Sequence, residues 1–252
     1  MPRIVDLSVP LEESPSEPMM PQVECHDHKM GSKTMQAFFN CEEQDLPGGL
    51  GWADEKVTAN THAGTHLDAP YHFYPTSEGR PAKTIDQIPL EWCYADGVVL
   101  DFRGKPDGYG ISAADVEQEL KRIKYKIKPF DIVMIETGTD KHWGDSEYFL
   151  KGAGMTREST LCLIEKGVKI MGTDAWGFDR PFFAIAEEFA TTKNRKMIWA
   201  AHFTGIEREY LHIEKLANLD KLPPFGFKVA CFPIKINRAS AGWCRAVAIL
   251  PD

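Results

Sequence analysis

Three histidines and an aspartate crowd the segment HAGTHLDAPYH, residues 62–72. Imidazole nitrogens and a carboxylate oxygen suit Zn²⁺, and also Mn²⁺ or Fe²⁺. A catalytic zinc takes three protein ligands and keeps one position for water, so His62, His66 and Asp68 are candidate ligands. His72 is then free to act as a general base or acid beside the activated water. The alternative, histidines that cap turns or satisfy buried carbonyl groups, suits an isolated histidine better than three together.

The spacing of these residues requires a bent backbone. In a helix, at about 100° per residue, Asp68 would point well away from His62. A straight strand would separate His62 from His72 by about 33 Å, at about 3.3 Å per residue, which is too far for one ion. Gly64 and Pro70 are residues at which a chain can bend. We therefore expect an irregular bend that gathers the first two histidines and the aspartate around a point, with His72 just beyond it.

The rest of the chain contains the strands that must position this bend. Short runs rich in β-branched residues, bounded by glycine, proline or aspartate, are typical of buried strands. Such runs occur at 97–102, 131–137 and 168–174, and further strands are predicted at 3–11, 227–236 and 244–250. Residues 12–31 are rich in proline, methionine and acidic residues and predict a loop.

Two helices are predicted between these strands. Residues 112–123 begin at Ser112, a favourable N-cap, and their apolar spacing is that of an amphipathic helix. Residues 156–167 begin at Thr156 and end at Gly167, a residue typical of helix C-termini. Without a repeat or a linker, the sequence predicts a single α/β domain over residues 1–252.

Composition narrows the classes of partner. The chain of 252 residues has a formal net charge of −8 and no basic run, so we expect no nucleic-acid binding. No apolar run approaches the roughly 20 residues that span a bilayer, and the first residues lack a signal-peptide pattern. We therefore expect a cytoplasmic protein without a membrane segment. Six scattered cysteines without a CxxC pair predict reduced thiols rather than a cysteine metal site.

Other candidate residues give weaker predictions. His26 and His28, in ECHDHKM, resemble a metal pair but lie in a polar stretch, where solvated or turn-forming histidines are expected. Arg180 could bind a substrate carboxylate through two hydrogen bonds. Several aromatic residues are candidates for a pocket, although such residues are more often core. They are Trp52, Trp176, Phe178, Phe182 and Phe183.

The unbroken motif HxGTHxDxPxH at 62–72 resembles the signature of the putative cyclase family of metal-dependent hydrolases, which includes bacterial kynurenine formamidases and isatin hydrolases. Further resemblance extends through most of the chain, at DLSVPL (6–11), FDIVMIETG (130–138) and GVKIMGTDAWGFD (167–179). The resemblance implies a swivelling β/β/α fold and a homodimer or homotetramer. Formamidases of this family carry a histidine followed twelve residues later by a glutamate, which His202 and Glu214 match.

The same resemblance implies a ligand set and a choice of metal. Asp68 and Glu214 would bridge two zinc ions, with His62 and His66 on one ion and His202 on the other. His72 would carry the proton. Isatin hydrolases are associated with a single Mn²⁺, so the expected cofactor is one or two Zn²⁺ ions or Mn²⁺. Glu207, Glu209 and His212 lie close to the second group of ligands in the sequence.

Three functions are compatible with this site. The leading hypothesis is hydrolysis of a carbon–nitrogen bond in a small, aromatic amide, formamide or lactam, with metal-activated water and His72 as base and then acid. A cyclase, dehydratase or lactone hydrolase would use the same metal site. A non-catalytic, metal-stabilised protein is the third, although structural zinc sites are closed and commonly rich in cysteine.

Overall fold

The computed structural model describes residues 2–251. Within these residues the α-helices are α1 His28–Phe39, α2 Pro70–Phe73, α3 Ala113–Arg122, α4 Arg157–Glu165, α5 Phe182–Thr192 and α6 Ala200–Glu207. The strands are β1 Arg3–Asp6, β2 Gln22–His26, β3 Asp54–Thr58, β4 His66–Asp68, β5 Thr76–Ser77, β6 Arg80–Pro81, β7 Tyr94–Asp101, β8 Gly110–Ile111, β9 Ile132–Glu136, β10 Gly154–Met155, β11 Ile170–Thr173, β12 Leu211–Glu214, β13 Phe225–Ala230, β14 Ala241–Trp243 and β15 Val247–Leu250.

A nine-stranded sheet organises these elements in the order β1-β15-β13-β7-β9-β11-β12-β4-β14. Its central strands β7, β9, β11 and β12 are parallel, and its flanking strands pair antiparallel. The predicted α/β class is confirmed. The order places β4, which carries part of the histidine motif, between β12 and β14 near one end of the sheet.

The central strands are buried on both faces, as parallel strands usually are. All five residues of β9 are buried, and they alternate between two apolar cores. Ile132 and Met134 belong to one core, whereas Val133 and Ile135 pack in the other together with Leu163 of α4. Because both faces are covered, the sheet is a rigid support for side chains at its edge.

Both predicted helices are confirmed. Ser112 caps α3, accepting a hydrogen bond from the Asp115 amide while the Asp115 carboxylate accepts one from the Ser112 amide. Thr156 caps α4 in the same way. Gly167 follows α4 with a φ of +95°, a left-handed conformation that favours glycine at a helix end.

The three central predicted strands are confirmed, and the outer ones are shorter than predicted. The first strand ends at Asp6, because the Asp6 carboxylate accepts a hydrogen bond from the Ser8 amide and turns the chain. The strand predicted at 227–236 ends at Ala230, shortly before Pro233, which has no N–H to continue a ladder. The last predicted strand begins only at Val247.

The loop predicted at 12–31 is wrong over its second half. Residues 22–26 form β2, which pairs with β3, and α1 begins at His28. We call residues 22–58 the arm. Asp27 caps α1 by accepting hydrogen bonds from the amides of Lys29 and Met30. The partner of β2 lies about 30 residues further along the chain, so a local reading of composition does not find this strand.

Between residues 2 and 251, no helix has both the length and the apolar composition needed to cross a membrane.

Candidate functional site

Strands β4 and β12 bring four of the functional side chains face to face. They pair antiparallel, with His212 opposite Asp68 and Glu214 opposite His66. Residues two apart on a strand point to the same face, so all four side chains lie on one face of the sheet. The intervening Leu67 and Ile213 face the apolar core. Register alone therefore assembles two imidazoles and two carboxylates.

The predicted bend is present on both sides of β4. Residues 61–65 form turns, in which Gly64 has a φ of +59°, and they bring His62 to the aspartate. Pro70 begins the one-turn helix α2, which returns His72 toward the same point. The His62 and His72 ring centres are 4.0 Å apart, so the motif is compact and not extended.

Helix α6 supplies His202 from the other side. Asp179 caps this helix, accepting hydrogen bonds from the amides of Ala201 and His202 at 2.8 and 3.0 Å. The same carboxylate lies 2.5 Å from His202 Nδ1 and so orients the ring, leaving Nε2 to face the other site residues. Trp199 stacks on the His202 ring at 4.0 Å, which fixes its plane.

The Asp68 carboxylate lies between two groups of histidines. Its Oδ1 is 2.8 Å from His62 Nδ1 and 3.2 Å from His66 Nε2. Its Oδ2 is 3.2 Å from His212 Nε2, 3.9 Å from His202 Nε2 and 3.8 Å from His72 Nε2. Each oxygen thus faces a different set of nitrogens.

The Glu214 carboxylate has the same two-sided arrangement. Its Oε2 is 3.6 Å from His66 Nε2, while its Oε1 is 3.3 Å from His212 Nε2 and 3.6 Å from His202 Nε2. Oε1 also accepts a hydrogen bond from the Phe178 amide at 2.8 Å, which fixes the carboxylate. Two carboxylates that each face both groups have the geometry of bridging ligands.

Several of these buried polar atoms make no well-directed hydrogen bond to any residue within 2–251, although Asp68 Oδ1 lies only 2.8 Å from His62 Nδ1. They are His66 Nε2, both oxygens of Asp68, and both ring nitrogens of His212. Buried polar groups are normally paired, because an unpaired one loses its hydration without compensation. His212 is held by packing instead, since its ring stacks on Phe73 and Phe178. Atoms that are buried, unpaired and convergent fit a metal ion as the missing partner.

Two overlapping sets of donor atoms are close enough to share an ion. In each set the donor atoms lie within 4.8 Å of one another, and the sets are Asp68, His202, His212 and Glu214, and His62, Asp68 and His72. His66 adjoins both carboxylates through Nε2. Nitrogen and carboxylate donors without cysteine suit Zn²⁺, Mn²⁺ or Fe²⁺.

The two carboxylates of the site are ionised, whereas its histidines differ in the direction of their pKa shifts. Burial opposes ionisation of Asp68, but the positive potential of the neighbouring imidazoles holds the pKa of this carboxyl well below its ordinary value. Burial also acts against ionisation of Glu214, yet contact with His212 lowers its pKa to about 2. Burial lowers the pKa of His202 and of His72, so these rings are neutral. Burial also opposes the charged form of His212, yet contact with Asp68 and Glu214 raises its pKa to about 9, and the Asp68 charge raises the pKa of His62 in the same way. Metal binding at His62 and His212 would therefore displace a proton from each ring.

A cavity of about 270 Å³ opens over these residues and is lined by His62, His72, His202 and Glu214. Much of its wall is aromatic, formed by Phe149, Trp176, Phe182 and Trp199. Two of the predicted aromatic residues, Trp176 and Phe182, therefore line the cavity. Phe178 is buried, and Phe183 and Trp52 are exposed and lie outside the cavity.

Arg180 also lines the cavity, and two of its five N–H donors are engaged by the chain. Its Nε donates to the Gly108 carbonyl at 2.7 Å, and Nη1 donates to Glu188 at 2.5 Å. These contacts use part of the fork that the sequence analysis offered to a substrate carboxylate.

The structure brings all the predicted site residues together: His62, His66, Asp68, His72, His202 and Glu214. His212, to which the sequence analysis assigned no role, lies among them and is fully buried. A signal for it existed, because His212 and Glu214 alternate on an apolar strand and must share a face. Asp179 had no such signal, since it meets His202 only through the fold.

The sequence of this chain is similar to that of known hydrolases. Residues 5–180 match a family model described as "Putative cyclase". The isatin hydrolase of Roseibium aggregatum is 27% identical over 199 residues, which cover 75% of this chain and 72% of that protein. The kynurenine formamidase of Erythrobacter litoralis is 27% identical over 201 residues, which cover 78% and 77%. Both names denote hydrolysis of a carbon–nitrogen bond.

The fold has relatives among solved structures. Isatin hydrolase A from Ralstonia solanacearum superposes with a TM-score of 0.77 at 23% identity, covering 99% of this chain and 92% of that one. The likeness extends over the whole sheet and its helices.

Proposed function

This chain belongs to the putative cyclase family, and from that premise we propose that it is a metal-dependent hydrolase acting on a carbon–nitrogen bond of a small amide, formamide or lactam. The observation that carries the proposal is the set of buried, unpaired donor atoms that converge beneath a cavity. The hydrolase names of its relatives support the same reaction class.

We assign the metal ligands to two positions that share Asp68 and Glu214. His62 and His66 would belong to one position, and His202 and His212 to the other. Asp68 Oδ1 faces the first pair and Oδ2 the second, while Glu214 Oε1 faces the second pair and Oε2 faces His66. A zinc or manganese ion held there would supply Lewis acidity, which would polarise a carbonyl group and make water a better nucleophile near neutral pH. The residues of the chain hold, orient and exchange protons around that chemistry.

His72 carries the proton in this proposal. Its side chain lines the cavity, and burial lowers its pKa, so the ring is neutral and can accept a proton from the attacking water. The carbon–nitrogen bond then breaks, and His72 returns the same proton to the departing nitrogen. His72 also lies close enough to His62 and Asp68 to share an ion with them. We assign His66 as the ligand at that position instead, because its Nε2 is buried and makes no hydrogen bond within residues 2–251.

The cavity wall favours an aromatic substrate. Phe149, Trp176 and Phe182 present flat apolar surfaces, and Trp199 adds a fourth. Such surfaces bind a planar ring by offset or edge-to-face contact. A cavity of about 270 Å³ accommodates a ligand of only one or two rings.

Elemental analysis of protein purified without added metal tests the ligand assignment, using the parent and the His202→Ala and Glu214→Ala variants. We expect two equivalents of metal in the parent and a fall in both variants. One equivalent that neither substitution changes would remove His202 and Glu214 from the site.

Mass spectrometry of products from a panel of amides, formamides and lactams tests the reaction. Hydrolysis adds one water, whereas unchanged mass or loss of water would indicate cyclisation or dehydration.

The remaining properties are proposals that rest on the family resemblance and on composition. We propose that the chain acts as one domain, on a small-molecule substrate, within a homodimer or homotetramer in the cytoplasm. Light scattering during size-exclusion chromatography measures the assembly, and a monomer would overturn that part.

A further inference from the structure

A buried ion pair lies directly beside the turn of residues 61–65, which carries the candidate ligand His62. Lys215 and Glu17 are 2% and 6% exposed, and Lys215 Nζ is 2.9 Å from each oxygen of the Glu17 carboxylate. Lys215 follows the predicted ligand Glu214, and Glu17 comes from the irregular segment before the arm. The pair thus joins two distant parts of the sequence at the edge of the cavity, which both residues line.

Both members of the pair hold the turn that carries His62. Lys215 Nζ donates to the His62 carbonyl at 2.7 Å, and the Gly64 amide donates to Glu17 Oε1 at 2.7 Å. Thr65 Oγ1 adds a hydrogen bond of 2.6 Å to the Lys215 carbonyl. The backbone on either side of Ala63 is therefore fixed to residue 215, one position away from Glu214.

The pair is not arranged to bind substrate. An ammonium group has three N–H donors, and Lys215 Nζ already has three oxygen neighbours, two from Glu17 and one from His62. Nor is stability a sufficient explanation, since a buried ion pair commonly stabilises a fold no better than apolar residues of similar volume.

We propose that Glu17 and Lys215 are positioning residues, which hold His62 against Asp68 and so set the affinity of the metal position that contains His62. This inference rests on the proposed function, because it concerns the same metal site. His62 needs such support, since it lies on a turn and not on β4. Its ring Nε2 is in hydrogen-bond contact with Ser240 Oγ at 3.0 Å.

The test titrates Zn²⁺ into metal-free full-length protein and compares double variants. Each single substitution would leave a buried charge unpaired, so Glu17→Met/Lys215→Met replaces both residues with apolar side chains. Glu17→Gln/Lys215→Met keeps an acceptor for the Gly64 amide and is the graded variant. Glu117→Met/Lys166→Met makes the same chemical change in a partly exposed pair, formed by α3 and the residue that follows α4, and is the matched control. The His62→Ala variant identifies which binding step belongs to His62.

We expect Glu17→Met/Lys215→Met to weaken Zn²⁺ affinity in the binding step that belongs to His62 by about 10- to 100-fold, because loss of groups that orient ligands commonly has an effect of this size. The other step and the control variant should stay near the parent, and the graded variant should fall between. The metal-free unfolding midpoint should fall modestly, because the Gly64 amide and the His62 carbonyl lose their partners. Excess Zn²⁺ should restore turnover, and the Gly64 amide should exchange its hydrogen faster in the metal-free double variant. A purely structural pair would lower the unfolding midpoint without a selective change in one binding step.

Unchanged Zn²⁺ affinity in a folded Glu17→Met/Lys215→Met protein would overturn the inference, and so would equal weakening of both steps. Failure of the proposed function has a different signature. In that case the parent binds Zn²⁺ and the double variant loses the His62 step, yet neither converts any member of the substrate panel.

Discussion

Two histidine-rich segments of this chain have similar compositions and opposite environments. The segment ECHDHKM in the arm places two histidines beside acidic residues, as the motif at 62–72 does. In the arm, His26 Nδ1 lies 2.8 Å from the Asp54 carboxylate and His28 Nδ1 lies 2.8 Å from the Gly51 carbonyl, all at exposed positions. In the motif, His66 and Asp68 are fully buried, and His66 Nε2 and both Asp68 oxygens make no hydrogen bond to residues 2–251.

Burial without pairing, and not composition, therefore distinguishes the candidate metal site from the polar surface of the arm. An unpaired buried polar group costs about 1–3 kcal/mol. The arm avoids that cost because β2 and β3 form a separate two-stranded ribbon, whose polar groups reach solvent or each other. The motif incurs it repeatedly because β4 lies between β12 and β14 in the main sheet. A bound cation would offset the cost at one place.

The largest effect that tests this contrast is loss of Asp68, the carboxylate shared by both donor sets. Asp68→Asn keeps the shape of the side chain but removes the charge. We expect metal content to fall at both positions and turnover to fall by at least about 1,000-fold, because a metal contributes several kcal/mol to such reactions. Elemental analysis and turnover measure this. The matched control is Asp54→Asn in the arm, which should change neither; a similar loss in both variants would break the comparison.

His72→Ala separates proton transfer from ligation inside the buried segment. We expect metal content to be unchanged and turnover to fall by about 100- to 10,000-fold, the usual contribution of a general acid–base group. Turnover and elemental analysis on one preparation test this. Loss of metal would reassign His72 as a ligand, and full turnover with full metal would remove its proton-carrying role.

A smaller effect is expected at Asp179, which orients His202 without facing the cluster of donors itself. Asp179→Asn should weaken Zn²⁺ binding at the His202 position by about 10- to 100-fold, because the imidazole loses its fixed orientation. Titration of metal-free protein with Zn²⁺ measures the change, and excess metal should recover part of the turnover. Parent-like affinity would show that packing against Trp199 is enough to hold the ring.

The smallest effect is expected in the arm, at His26, whose pKa is raised by contact first with Glu24 and then with Asp54. A folded-state pKa above the unfolded value gives stability that is present below about pH 6.5 and is lost as the pH rises through the raised value. His26→Ala should therefore lower the unfolding midpoint slightly at pH 6 and not at pH 9. Exposure keeps the effect small. Any change in Zn²⁺ binding would contradict the assignment of the arm as a polar surface.

Local patterns were sufficient for part of the fold. The capped helices α3 and α4 and the buried strands β7, β9 and β11 follow from capping residues and apolar runs, which act over a few residues. Strand β2 was missed because its pairing with β3 is remote in sequence and its five residues are half-buried or exposed. The early end of β1 was also missed, since a single Asp6 side chain redirects the chain there.

The sequence by itself determined the bend of the histidine motif and the chemistry of its donors. Glycine and proline restrict where the backbone turns. The nitrogen and oxygen donors of His62, His66 and Asp68 together suit a metal ion. These properties belong to neighbouring residues, so the short segment is enough to predict them.

Only the tertiary structure decided how many side chains gather at the candidate metal site. The register of β4 against β12 placed His212 opposite Asp68, and the cap of α6 brought Asp179 to His202. The buried pair of Glu17 and Lys215 likewise joins residues 198 positions apart. Strand register and helix docking are set by the packing of the whole apolar core, which a short motif does not encode.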